Sequence, residues 1–366
     1  MKIVLMVHRF HPEIGGVEMT AEVLARGFTQ RFGDDVTVVT HTTRRDPNVH
    51  FPFRVLREPG RRELYSAIRN ADVVFHNNPC MQFYWPQLVI RRPWVVAVRM
   101  WITLPGQIHT GRDRLKYALK TRMVESADVL VANSQAVAGH LRGVSQVVHN
   151  SYRDTIFTVT GPEPRDRRRI AFVGRLSADK GLEVLIDAVS ELVRRGLDPH
   201  LTIVGEGDLE DEVRLRVAAL GLGHRVVMTG RLTGPQTAAL LNTHGIGVVP
   251  STIPESFGTV ALEETACGLV VAVAGHGGLI EAIGDAGPTF APGSSSGLAD
   301  VLHRLMTDAA YYEGYRSKAR THLANHQENA MVDAYRDVLA QAVSARESTR
   351  GWRGTMRQLR RFLHPS

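Results

Sequence analysis

The sequence predicts an α/β protein built from two doubly wound, parallel-sheet domains. Three observations carry this. Short β-branched runs alternate with amphipathic stretches along most of the 366 residues. The series stops once and restarts, as two domains require. The runs are apolar at nearly every position, which suits strands covered on both faces.

Taken in order, KIVLMV (2–7) precedes the helical stretch VEMTAEVLARGFTQRF. DVTVVT (35–40), ADVVFHN (71–77), WVVAVRM (94–100) and ADVLVANS (127–134) follow. TVTGPEPRDRRR (158–169) cannot continue a strand or a helix and reads as the linker. The series restarts at RIAFVGR (169–175), followed by the helix-forming KGLEVLIDAVSELVRRG. HLTIVGEG (200–207), RVVMTGR (225–231), GIGVVPS (245–251) and LVVAVAG (269–275) complete it.

Composition narrows the class. Apolar residues make up 43% and charged residues 22%, values typical of a globular protein, so disorder is not the default reading. Two cysteines, Cys80 and Cys267, exclude a disulfide framework and point to a reducing cytoplasm. The net charge of +7 favours anionic partners without choosing among them. MKIVLMVHRFHPE is interrupted by His8 and Arg9 and reads as a first buried strand, not a leader.

Glycine-rich turns mark where anions could bind. Gly15 and Gly16, in HPEIGGVE (11–18), stand between the first strand and its helix, where backbone amides can approach an anion. VGRLSADKG (173–181) sits at a second such junction, flanked by Arg175 and Lys180. Two cations at a helix entrance suit a diphosphate leaving group, although such a pair alone is more often a solvated loop. VGEGD (204–208) lacks a third glycine and reads as a strand-to-loop turn.

PSTIPESFGTVALEETACG (250–268) is the most informative stretch. Pro254 blocks helix before Glu255, so Phe257, Gly258 and Thr259 are expected to form the first helical turn. Glu263 then lies about 8 Å along the axis from Gly258. Glu255, the turn amides and Glu263 can meet successive parts of an extended ligand such as a sugar–diphosphate–nucleoside. Acidic residues near a helix N-terminus are also favoured by the dipole alone.

Together these pieces resemble the family-4 retaining glycosyltransferases, which have the GT-B fold of two Rossmann-like domains facing across a cleft. The resemblance runs from IGGVE through ANS (132–134), VVHNSYRDTIF (147–157), VGRLSADKG, VGEGDLEDEV, TGRL (229–232), PESFGTVALEETACG and GHGGLIEAIGDAG (275–287). It implies residues 1–160 as an acceptor-side domain and 161–327 as the donor domain. Residues 328–366 would be a C-terminal helix packing back toward the first domain, with a basic tail. Arg175 and Lys180 would hold the donor diphosphate, and Gly15 and Gly16 would let the N-terminal loop approach it. Glu255 would contact the donor sugar, Ser256, Phe257, Gly258 and Thr259 would offer backbone amides, and Glu263 would bind the ribose. Arg231 and Leu232 would cradle the base. Glu281 lies in a further family element.

One departure stands out. The family usually carries a histidine after the strand that reads VVAVRMW here, and this chain has Arg99, which cannot accept a proton. Either Arg99 stabilises phosphate charge or the acceptor is arranged unusually; His109 is nearby and could substitute, although a lone loop histidine is more often incidental. The implied reaction moves a sugar, with retention, from a nucleotide sugar, UDP favoured over GDP, to a hydroxyl of a glycan, lipid-linked or small-molecule acceptor. Arg99, Arg175, Lys180 and Glu255 would act in it without a cofactor or metal. No D-x-D or H-E-x-x-H occurs, and His8 and His11 read as loop residues.

Other readings have less behind them. A glycosidase could use Glu255 and Glu263 as its carboxylate pair, but would not need Arg175 and Lys180. A non-catalytic nucleotide-sugar binder is the main alternative. GSSSG (293–297) reads as a polar loop and not a nucleophile elbow. No nucleic-acid motif accompanies the charge. Two basic stretches, GRDRLKYALKTRMV (111–124) and the tail with Trp352, Met356, Leu359 and Phe362, could touch an anionic bilayer at the inner membrane face. For residues 111–124 a packed helix with a solvated face is expected.

Overall fold

The structure, a computed structural model, describes residues 1–363 apart from 14, 105–106, 108–109 and 161–164, and side chains as far as Ser348 apart from Leu88 and Glu347. Part of the expected linker, His109, and the apolar residues of the tail therefore lie outside the described residues and side chains.

Among the described residues the strands form two sheets, and every recorded pairing in them is parallel. The first contains β1 (Lys2–Met6), β2 (Asp35–Thr40), β3 (Arg54–Arg57), β4 (Val73–Asn77), β5 (Trp94–Val98), β6 (Val129–Ala132) and β7 (Val144–Val147). Its order is β3-β2-β1-β4-β5-β6-β7. The second contains β8 (Arg169–Val173), β9 (His200–Val204), β10 (Val226–Gly230), β11 (Ile246–Val249), β12 (Val270–Ala274) and β13 (Thr289–Phe290). Its order is β10-β9-β8-β11-β12-β13. This is the doubly wound α/β architecture that the alternation predicts.

The chain divides into two compact units. One holds Met1–Asn133, Val137–Val148 and Met331–Ser366; the other holds Ser134–Ala136 and His149–Ala330.

In the first unit, Ile3 pairs with Val36 on one side and Val73 on the other. Alternate residues feed two cores: Ile3 and Leu5 pack on one face, Val4 and Met6 on the other. The helix Gly16–Phe32 buries Ala21, Leu24, Ala25 and Phe28, a helical stripe aimed at the first of these cores. The helix Glu328–Leu363 adds Met331, Val332, Tyr335, Val338, Leu339 and Ala342 to the same core. Arg336 Nε fixes it through Asp34 Oδ2 at 2.6 Å.

The helix Gly111–Val124 is different. Val124 is its one buried residue among those described, and Leu115 and Leu119 are exposed between its cations. The expectation that this stretch packs as an ordinary docked helix therefore holds only at its C-terminal end.

In the second unit, Ile170 on β8 stands opposite Leu201 and Ile246. The helix Leu182–Arg194 turns Leu182, Leu185, Ile186, Val189 and Leu192 into its core. GSSSG is a loop only at Gly293 and Ser294. Ser294 caps the helix Ser295–Thr307 by accepting the Gly297 amide at 3.0 Å, because a serine oxygen there satisfies an unpaired helix donor.

Candidate functional site

Winding reverses between β8 and β11 in the second sheet. The loops leaving the carboxyl ends of the strands at such a reversal are the usual ligand position in sheets of this kind. The two cations and the first glutamate all come from these loops.

The β8 loop is held from the β9 side, where Gly174 N donates to Val204 O at 3.0 Å and Leu176 N to Glu206 O at 3.0 Å. A single turn, Ala178–Lys180, then precedes Gly181. Gly181 has φ 68°, and a side chain there would collide with the carbonyl oxygen of Pro250. Glycine therefore lets the two loops touch. Thr252 N closes the contact by donating to Asp179 O at 2.9 Å.

That contact brings Lys180 Nζ to 2.7 Å from Glu255 Oε1. Ser251 Oγ donates to the same oxygen. Ser251 is itself held through its carbonyl by His276 Nε2 at 2.8 Å, and Gly278 N donates to Glu255 O at 2.8 Å. The Lys180 and Glu255 side chains keep 23% and 18% of their surface, so the pair is reachable by a ligand.

Arg175 is exposed on the same β8 loop. Burial would raise the Asp179 carboxyl, but the Ser177 hydroxyl and the charges of Lys180 and Arg175 hold it below its ordinary value. Arg175, Lys180 and Glu255 thus share one cationic patch with anchored carboxylates.

The turn after Glu255 differs from the sequence expectation. The helix begins at Thr259 and runs to Ala266, with Gly258 as a left-handed cap at φ 101°. Ser256 and Phe257 therefore precede the helix. A side chain at Gly258 would overlap Leu279. Phe257 is buried and stacks on His149 at 5.3 Å, so a ligand would meet its backbone and not its ring. Thr259 opens the helix, whose first N–H groups lack intrahelical partners by geometry.

Glu263 lies inside that helix and is gripped by Arg153, with Nε and Nη2 each 3.0 Å from Oε1. Burial pushes its carboxyl up, and Arg153 opposes this. Its neighbour Glu264 is fully buried beside Gly247; burial, then Glu263, push it well above the ordinary value. Arg231 and Leu232 follow β10, and Arg231 N donates to Glu206 Oε1 at 3.3 Å. Glu281 accepts the Gln135 and Ala136 amides at 2.8 and 3.1 Å and lies 3.0 Å from His149 Nε2.

Gly15 and Gly16 belong to the first unit. Gly15 is extended, at φ −158°, and a side chain on Gly16 would meet open space. Backbone conformation demands glycine at neither position. Arg99, also in the first unit, is 3% exposed. Its Nε donates to Asn77 Oδ1, and its guanidinium lies 4.9 Å from the Tyr335 ring centroid. Burial lowers its pKa, with the Tyr335 charge opposing. The side chain considered for phosphate charge is thus placed as an internal cation.

Sequence reasoning missed Arg153, Ser251 and His276. Arg153 stands in the run VVHNSYRDTIF, which no spacing rule ties to Glu263 across 110 positions.

A model of "Glycosyltransferase Family 4" matches residues 14–152, and one of "Glycosyl transferases group 1" matches residues 156–322. The chain belongs to glycosyltransferase family 4. An uncharacterized glycosyltransferase of Methanocaldococcus jannaschii is 35% identical over 150 residues, 40% of this chain and 38% of that protein. The 2-deoxystreptamine glucosyltransferase of Streptomyces kanamyceticus is 34% identical over 143 residues, 38% of this chain and 37% of that protein. The matched stretch thus spans well under half the length of these curated relatives. Anabaena HepE, solved with UDP and glucose, superposes with a TM-score of 0.73 at 21% identity. The match covers 93% of this chain and 99% of HepE, which shows that this family-4 chain has the GT-B fold.

Proposed function

We propose that this family-4 chain transfers a sugar, with retained anomeric configuration, from a nucleotide diphosphate sugar to an acceptor hydroxyl. The observation that carries the reading is the Lys180–Glu255 pair, 2.7 Å apart on the loops where winding reverses between β8 and β11. A cation for phosphate beside a carboxylate for sugar hydroxyls marks the junction between diphosphate and sugar. Arg175 adds a second charge for the departing diphosphate, and the cap at Gly258 aims helix amides at the same region. Glu263, positioned by Arg153, receives the ribose hydroxyls.

The reaction is a same-face displacement that needs no covalent protein nucleophile. The acceptor oxygen bonds to the anomeric carbon as the bond from that carbon to the phosphate oxygen breaks. The departing phosphate oxygen takes the acceptor proton, so the products are a glycoside and a nucleoside diphosphate. Charge stabilisation and positioning supply the acceleration. On the acceptor side, a cavity of about 280 Å³ beyond β5 combines Trp101, Thr103, Gln107 and His140 with aliphatic residues such as Ile102 and Leu104, a mixed lining of the kind that takes a small ligand. HepE binds UDP and glucose, so a UDP-sugar is the first donor to test.

The test incubates the full chain with UDP- and GDP-sugars and a panel of hydroxyl acceptors. Acceptor-dependent nucleotide release, with a product of the donor's anomeric configuration by NMR, is expected. Tight nucleotide binding without release would establish the non-catalytic binder. Release that ignores acceptor would mean hydrolysis.

A further inference from the structure

The first sheet has its own reversal, between β1 and β4, and chemistry gathers there that the transfer reaction does not use. His8 follows β1, His41 follows β2, and Cys80 lies three residues beyond β4. These strands are neighbours in the order β2-β1-β4. One ligand atom from each of the three residues falls within 4.8 Å of the other two.

The backbone holds the two histidine loops together. His41 N donates to His8 O at 3.0 Å, and Thr40 Oγ1 donates to the same oxygen at 3.1 Å. His41 is oriented by stacking on Phe83, with centroids 4.1 Å apart and planes at 5°. Its Nε2 is buried with no hydrogen-bond partner among the described residues. An unpaired buried ring nitrogen costs stability unless something fills the place. Cys80 is 6% exposed, whereas His8 faces solvent, so the cluster has a closed floor and an open side.

The spacing is that of a soft-metal site. Tetrahedral zinc, with Zn–S near 2.3 Å and Zn–N near 2.0 Å, separates sulfur from nitrogen by about 3.5 Å. Cys80 Sγ and His8 Nδ1 are 3.8 Å apart. Two unusual backbone conformations flank the cluster: Glu58 beyond β3 has φ 44° and Asn78 beyond β4 has φ 77°. Left-handed non-glycine residues concentrate at functional sites because the surroundings must hold them there.

We propose that His8, His41 and Cys80 form a binding site for a thiophilic divalent cation, zinc fitting best, with its fourth position open to water or a substrate oxygen. Two imidazoles and one thiolate are the donor set of this class of ion, and three protein ligands with one open position mark an accessible site. Burial pushes the Cys80 thiol up, while the Gln82 and Phe83 amides and the Lys120 ammonium pull the other way.

The test strips the full-length protein with chelator and titrates it with Co²⁺. A stoichiometric thiolate-to-cobalt charge-transfer band with tetrahedral d–d bands is expected, and Zn²⁺ should bleach both. Cys80→Ser should abolish the charge-transfer band. His41→Ala and His8→Ala should each weaken cobalt binding by at least about 100-fold. His8 is exposed, so His8→Ala should fold, and Zn²⁺ should raise the Tm of the native protein but not of this variant. Absence of the band would overturn the proposal. So would its survival in Cys80→Ser, which would assign it to Cys267, or an equal zinc-dependent Tm shift in His8→Ala.

Discussion

Lys180 and Arg99 are both cations just beyond the carboxyl end of an interior strand, and the fold treats them oppositely. Lys180 keeps 23% of its side-chain surface and pairs with a carboxylate that is itself reachable. Arg99 is 3% exposed, bonded to Asn77 and covered by the Tyr335 ring. A cation that keeps access to a ligand can serve binding and transition-state charge. A cation shut under an aromatic ring serves the core, where those contacts oppose its desolvation. The covering ring belongs to a helix 236 residues further along the chain, so residue type alone could not separate the two roles.

The largest effect expected from this contrast is at Lys180. Lys180→Ala should reduce kcat for sugar transfer by about 100- to 1,000-fold, the scale of losing one transition-state charge contact. Its Tm should stay close to that of the native protein, since the side chain is part-exposed. A near-native kcat would remove the pair from the chemistry.

Arg99→Met should do the reverse. Leaving Asn77 Oδ1 and the Tyr335 face without the guanidinium should destabilise the first unit by about 1–3 kcal/mol. This is readable as a lower urea midpoint. The kcat per folded molecule should change much less than in Lys180→Ala. A loss of kcat matching that of Lys180→Ala, with an unchanged midpoint, would return Arg99 to the reaction.

The smallest effect concerns Glu264, beneath the candidate site. Its folded-state pKa is raised well above 4.5 by burial, so the folded state binds the proton more tightly than the unfolded one. Stability from this group is present at acid pH and declines as pH rises from the unfolded value through the folded one. Glu264→Gln removes that titration. Its Tm should fall less than the native Tm between about pH 5 and about pH 8. Parallel Tm–pH profiles would show that Glu264 does not titrate differently on folding.

Much of the architecture was legible because apolar periodicity is a local signal. All ten apolar runs singled out in the sequence contain strands. The strands it did not reveal, β3, β7 and β13, all lie at sheet edges. Edge strands are short and less thoroughly buried, so RVLR and VSQV carry charged or polar residues that hide them. The candidate site was partly legible for the same reason. Arg175, Lys180 and Glu255 stand at strand–helix junctions that local pattern marks and Glu263 on the helix that follows, whereas Ser251 and His276 lie in marked stretches without any signal of their bonding and Arg153 reaches Glu263 from a distant segment.

The sequence by itself determined the alternation of strand and helix, the two-part organisation and the residues at the glycine-marked turns, since each follows from hydrophobic period and local backbone freedom. Tertiary structure alone decided that Arg153 holds Glu263, that Tyr335 covers Arg99 and that His8, His41 and Cys80 meet. In each case the partners come from segments far apart in the chain. Sheet order, and not sequence distance, brings strand ends together, and the packing of distant helices does the rest.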